Sequence, residues 1–492
     1  MKLWNDAVFL MTAIVFLFMA AVCAHVSADY SVYTLPGTNL EITLAGDAKY
    51  NPGGTVTHRH PRGTLYFSAR DIRVIKSPTP EVIFTRRSKQ VIDSRDVEKI
   101  IDLAKWTVHN GMIPQCKALL SAAWKIDPAN AQLKKLAGMV FYLNKPVEPS
   151  ESAERHLREF VSGRDMTISR SKHFVLLHNG DRYKDPVTGK TRADMRLELM
   201  ETVYESYFLT FAFSGMFMRP PTEPMEVVLF ATHADFLQFA SLSIGGSAKQ
   251  LAGFYSPKDN VSVFFDSGTS THFRKLNQLS QEMQAVKADL KKARLPGGGE
   301  IIRLASTLEL LVDITRESED VATVSHEAIH QIAANSGLFP RQASFVRWVH
   351  EGLASYFESS KNAMWRGSGA VDHDRIDYYR VLEGDPVRGS LEFIVSDLGF
   401  LVEASLGDQL PAYGQAWALT HYLFNRRFDE LMKFYKLTHD VGDEQTTVKE
   451  RGERLTAAFK ETFGDTASLE LEWRRYMRTL RTDMELLAEE GK

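Results

Sequence analysis

The pentapeptide His326-Glu327-Ala328-Ile329-His330 constrains this chain more than any other stretch. It lies within an apolar-periodic run from Val321 to Ala333, so the spacing predicts a helix. Residues four apart on a helix share one face. Both imidazoles then project the same way, at a spacing that can grip one Zn2+, and Glu327 can reach a water on that ion. A second run, Trp348-Val349-His350-Glu351-Gly352-Leu353-Ala354, follows a turn at Asn335-Ser336-Gly337 and predicts a second helix carrying Glu351. Two His and one Glu as ligands leave a fourth zinc position open, the catalytic rather than the structural arrangement. The main rival for third ligand is Glu358, two turns further along the same face. A chain of this length shows such a pentapeptide by chance only on the order of a few per cent of the time.

The rest of the composition bounds the alternatives. The 492 residues suit two or three domains, and a net charge of -3 with no basic block gives nucleic acid binding no electrostatic support. Lys2, the apolar stretch Ala7 to Ala24 and the small-residue site Val26-Ser27-Ala28 predict a signal peptide over residues 1–28, cleaved after Ala28. Asp6 and the length of the stretch leave an uncleaved membrane anchor as the alternative. Either way the body is expected to be exported, periplasmic or secreted. Cleavage leaves only Cys116, which excludes an internal disulfide.

An α+β layout is expected. Residues 29–90 read as a small β module, with strands at Leu40 to Leu44, Gly63 to Phe67 and Val82 to Phe84, and a turn at Asn51-Pro52-Gly53-Gly54. His58 and His60 read as solvated loop residues there. Over residues 91–148 the period becomes helical, and Asp127-Pro128 marks a turn between Ala118, Leu119, Ala122, Ile126 and Ala131, Leu136. That stretch resembles a tetratricopeptide helix pair, which must dock on a neighbour to bury its face and which offers a surface to a protein partner. Residues 165–485 form the large domain. In it Val261 to Phe265 reads as an edge strand suited to an extended peptide. Leu276, Leu279, Met283, Val286 and Leu290 form a short seam that predicts a helical hairpin over about 274–315, packed along the motif helix rather than gating the cleft.

The two motif runs together resemble the gluzincin metallopeptidases. Tyr413-Gly414-Gln415-Ala416-Trp417-Ala418-Leu419-Thr420-His421-Tyr422-Leu423 and Gly253-Phe254-Tyr255 are similar to a family of exported bacterial peptidase-like proteins of unknown function. The resemblance spans roughly Ser169 to Phe428 and implies a zincin-like domain. It makes His326, His330 and Glu351 zinc ligands and Glu327 the general base. It also implies a downstream Tyr or His as oxyanion donor, for which Tyr413, His421 and Tyr422 are candidates. Spacing does not choose among them; the apolar stripe of their helix ranks Tyr413 first and His421 second. Ser355 stands where some gluzincins carry an acid that orients a ligand imidazole, which leaves that partner open.

The activity so expected is zinc-assisted peptide hydrolysis. Two other functions use the same residues: an exported binding or scaffold protein that keeps the fold, and a zinc amidase acting on a cell-wall amide. Glu327 argues against the scaffold, because a structural site has no use for a general base.

Overall fold

The computed structural model describes the chain from Asp29 to Leu486, apart from 35–40, 181–183, 186–187, 245–250, 272, 294–297, 359, 362–363, 402–405, 443–445 and 483–484. The expected signal peptide lies outside the described residues. Among the described residues no helix is long and apolar enough to cross a membrane. The protein is a mixed α+β structure with an N-terminal β module and many helices.

Five antiparallel strands make the β module: β1 (Asp29–Thr34), β2 (Glu41–Asn51), β3 (Thr55–His60), β4 (Gly63–Ser68) and β5 (Ile72–Lys76), in the order β4-β3-β2-β1-β5. The turn between β2 and β3 uses Gly53 and Gly54 at φ 92 and 76, a region closed to most side chains. Two expectations fail here. Val82 to Phe84 is not a strand; it lies in the helix Pro80–Asp93, where Pro80 occupies the first turn and Phe84 and Ser88, four apart, are buried. Three β-prone residues are too few to outweigh a helical frame of that length. His58 and His60 are not in a loop. They alternate inward on β3 and are buried, with His58 Nδ1 2.8 Å from Ser31 Oγ.

The next three helices, Val97–Val108, Ile113–Ile126 and Ala131–Asn144, follow the expected period, with Asp96 and Asn130 capping the first and third. Their apolar faces share one core with the helix Arg192–Phe213. Lys117, buried, reaches Glu205 on that helix at 2.7 Å and Asn144 at 2.9 Å. The face that had to find a neighbour has found it within the chain.

A second sheet has the order β6-β7-β8-β10-β9, from Thr167–Arg170, Phe174–His178, Met225–Phe230, Val261–Phe265 and Gly253–Ser256. Strands β7, β8 and β10 run parallel, and β6 and β9 are antiparallel at the two edges. The expected edge strand is therefore internal: β10 pairs with β8 on one side and β9 on the other. All five of its residues are buried, as suits a strand covered on both faces. The edge belongs to β9.

One helix of 38 residues, Gly298–Asn335, runs from the β module to the motif. The helix Arg274–Ala293 packs against its first half, held by Lys287 and Glu309 at 2.5 Å. The hairpin thus exists, but its second arm is the motif helix itself. At 1.5 Å per residue its tip lies roughly 40 Å from His326. Midway along this helix Glu317 and Asp320 are buried against the helix Arg192–Phe213, where Arg196 forks onto Glu317 at 2.6 and 3.0 Å and reaches Asp320 at 2.5 Å, and Arg192 meets Glu317 at 2.6 Å. Further up, Arg62 of the β module donates to Asp313 at 2.8 Å and to Asp185 at 2.6 Å, and Leu311 and Ile314 enter the core of the β module.

Candidate metal centre

Two contacts aim the motif helix. Gln331 Nε2 donates to the carbonyls of Glu226 and Asn260, both at 2.9 Å, and Ser262 Oγ donates to Gln331 Oε1 at 3.1 Å. Asn335 and Asn260 exchange side-chain hydrogen bonds one turn on. The helix is thereby fixed in rotation on the sheet, and His326 and His330 turn away from it.

Glu351 arrives on the helix Arg347–Phe357. Asp397 accepts from the backbone N–H of Arg347 at 3.0 Å and of Trp348 at 2.8 Å, capping that helix from a distant loop. Next to Glu351, Gly352 lets the helix Leu406–Arg426 approach closely: a Cβ there would fall 2.3 Å from Thr420 Oγ1 and 2.7 Å from the Ala416 carbonyl oxygen. The crossing sets the height at which Glu351 meets the histidines.

His326, His330 and Glu351 each offer one atom, all within 4.8 Å of one another. The two Nε2 atoms are 3.2 Å apart, and Glu351 Oε2 lies 3.0 Å from His326 Nε2 and 3.6 Å from His330 Nε2. Ligands about 2.0–2.1 Å from a tetrahedral ion are separated by roughly 3.3 Å, so the three atoms fit one small divalent cation. The charges agree. Burial pushes the His326 ring down, but its hydrogen bonds to Glu351 and Glu358 outweigh this and lift it to about 10. Although burial opposes it, the two histidines hold the Glu351 carboxyl well below its ordinary range. The cluster calls for positive charge at its centre.

Glu358 lies outside the triad. Its Oε2 accepts from His326 Nδ1 at 2.8 Å and from Arg375 Nη2 at 2.6 Å. A carboxylate on Nδ1 fixes the tautomer that leaves Nε2 free to ligate. Glu358 thus stands where an orienting partner, left open by the sequence, would stand. Ser355 does not fill that place; it is buried one turn back.

Glu327 stands beside the triad. Burial raises its carboxyl, while His326 and His330 pull it down and the Tyr255 backbone N–H of edge strand β9 contributes in the same sense. Tyr413 is half-buried, with the Arg375 guanidinium 5.2 Å from its ring centre. Burial, then the charge of Glu351, keeps its phenol well above the ordinary value, with Glu327 adding to the effect. It is therefore a protonated donor within electrostatic reach of both carboxylates. His421 is not brought to the site. Its Nε2 is bound to the Gly369 carbonyl at 3.1 Å and its Nδ1 to Tyr476 Oη at 2.9 Å, and burial pushes it down to about 4. Tyr422 also points elsewhere, to Glu472 at 2.9 Å.

Sequence reasoning missed Arg375 and Asp397, whose roles arise only from long-range packing. It also missed an aromatic wall beside His330, where the His350 ring lies 4.3 Å from both Phe339 and Phe345. The run of Phe339, Phe345 and His350 between the two motifs was the available signal.

Residues 320–441 match a family described as "Protein of unknown function (DUF1570)". That span holds the triad, Glu327, Glu358, Arg375 and Tyr413. It excludes the β module, the upstream helices and the helix Arg274–Ala293, and takes in only the last part of the helix Gly298–Asn335. No curated protein matches the chain.

Proposed function

We propose that this protein is an exported zinc-dependent peptidase with a zincin-like domain, hydrolysing peptide bonds in an extended substrate. The observation that carries this reading is the convergence of His326 Nε2, His330 Nε2 and Glu351 Oε2 at ligand spacing with Glu327 alongside. His326, His330 and Glu351 would hold the ion, and Zn2+ there would supply Lewis acidity toward water and an amide carbonyl.

The protein's own groups supply the rest. Glu327, raised by burial, takes the proton of the attacking water and returns it to the leaving amine. Tyr413 donates its phenolic hydrogen bond to the developing oxyanion while staying neutral. Strand β9, the sheet edge on the Glu327 side among the described residues, offers main-chain groups other than the Tyr255 N–H to an extended peptide.

The test is metal content together with a peptide screen of wild type and Glu327→Gln. Wild type should hold one zinc per chain and cut peptides; the variant should hold the zinc and cut none. Equal activity in both proteins would remove Glu327 as base, and wild type without zinc would remove the whole reading.

A further inference from the structure

Arg375 stands at the first turn of the helix His373–Glu383 and is tied to the triad through Glu358. One Glu358 oxygen, Oε2, receives both the Arg375 Nη2 at 2.6 Å and the His326 Nδ1 at 2.8 Å. Glu358 follows directly on the helix Arg347–Phe357 that carries Glu351, so the first ligand's orientation and the third ligand's helix meet at this carboxylate. Arg375 is only 12% exposed, and Glu358 18%. Asp372, capping the same helix by accepting from the Arg375 backbone N–H at 3.0 Å, adds a second carboxylate to the neighbourhood. Without the guanidinium, two acidic groups would face each other in a poorly solvated corner, and Glu358 would no longer be held on the His326 ring. The Arg375 guanidinium carbon also lies 5.2 Å from the centre of the Tyr413 ring, a second contact that holds the side chain.

We propose that Arg375 sets the metal affinity of the centre as a positioning residue, acting through Glu358 on the His326 ring. This rests on the reading of His326, His330 and Glu351 as a metal centre. It assigns to a residue with no ligand role the task of keeping one ligand aimed. Loss of an outer partner of a metal-bound histidine typically costs about 10- to 100-fold in metal affinity.

Zn2+ competition against a chromophoric chelator tests it without any substrate. The proteins are wild type, Glu358→Gln, Arg375→Gln, Arg375→Lys and the Glu358→Gln/Arg375→Gln double variant, each with its thermal midpoint measured zinc-free. Arg375→Gln and Glu358→Gln should each weaken zinc binding about 10- to 100-fold. The double variant should be no weaker than the worse single one, because both act through one carboxylate. Arg375→Lys keeps a cation beside Glu358 and should recover affinity to within about threefold of wild type. Should a lowered midpoint alone cause the loss, affinity would track the midpoint across the set and lysine would give no rescue, which overturns the proposal. Arg375→Gln with wild-type affinity, or effects that multiply in the double variant, overturns it as well. Wild type that binds no zinc would overturn the metal centre and this proposal together; the other outcomes leave the metal centre standing.

Discussion

The long helix Gly298–Asn335 carries buried acidic groups in two places, and they are handled differently. Upstream, Glu317 and Asp320 meet Arg192 and Arg196 in direct ion pairs, with Asp266, Arg62, Asp313 and Asp185 continuing the network. Each of those five carboxylates meets a guanidinium directly. Downstream, Glu358 meets the Arg375 guanidinium and the His326 ring, whereas Glu351 meets the imidazoles of His326 and His330, with Glu327 beside them. Three of these side chains bring one ligand atom each to a common point. The first cluster is a joint that closes on itself; the second is a socket. Burial alone does not distinguish the two clusters, but the partners of their carboxylates do: guanidinium groups in the first, converging imidazole nitrogens in the second.

Breaking each cluster should therefore have opposite consequences. The largest effect expected is on the socket: Glu351→Ala should lose stoichiometric zinc altogether, while Glu358→Ala should only weaken it, as measured by metal content after dialysis. Reversal of those two results would exchange the roles of ligand and orienting partner.

In the joint, Arg196→Met leaves Glu317 and Asp320 short of a buried partner and should cost about 3–5 kcal/mol of stability. Chemical denaturation reads this, and zinc per folded chain should stay unchanged. A loss of zinc without a loss of stability would mean that the two clusters are one functional unit.

Tyr413→Phe should keep zinc and stability but lower turnover about 100- to 1000-fold, the usual cost of one lost oxyanion donor. Undiminished turnover in this variant would return the role to a group not identified here.

The smallest effect concerns His421, buried and neutral outside both clusters. Its folded value of about 4 lies below the ordinary 6.5, so its contribution is intact above pH 6.5 and is lost as the pH falls from there toward 4. Thermal midpoints of His421→Gln should fall less steeply over that window than those of wild type, a difference on the order of 2–3 kcal/mol. Identical slopes would show that the imidazole is not the acid-sensitive group.

Much of the candidate site was legible in the chain. The four-residue step between His326 and His330 is a property of one helix, and Glu351 lies in the next periodic run, so local period was enough for all three. The strand β10 and the helix pair around Asp127-Pro128 were legible for the same reason. The role of Glu358 was not, because a carboxylate two turns from Glu351 reads as a rival ligand until Arg375 and the His326 ring are seen to claim it.

The sequence by itself determined which side chains could grip a cation and that helices would carry them. Those depend on spacing along the backbone. Only the tertiary structure decided that β10 is internal and β9 the edge, since strand order depends on pairing between segments far apart. It also decided that the hairpin's second arm and the motif helix are one rod, with Glu317 and Asp320 in its middle neutralised by arginines more than a hundred residues away. And it sent His421 into the core while leaving Tyr413 near the carboxylates, because two residues of one helix face different neighbours.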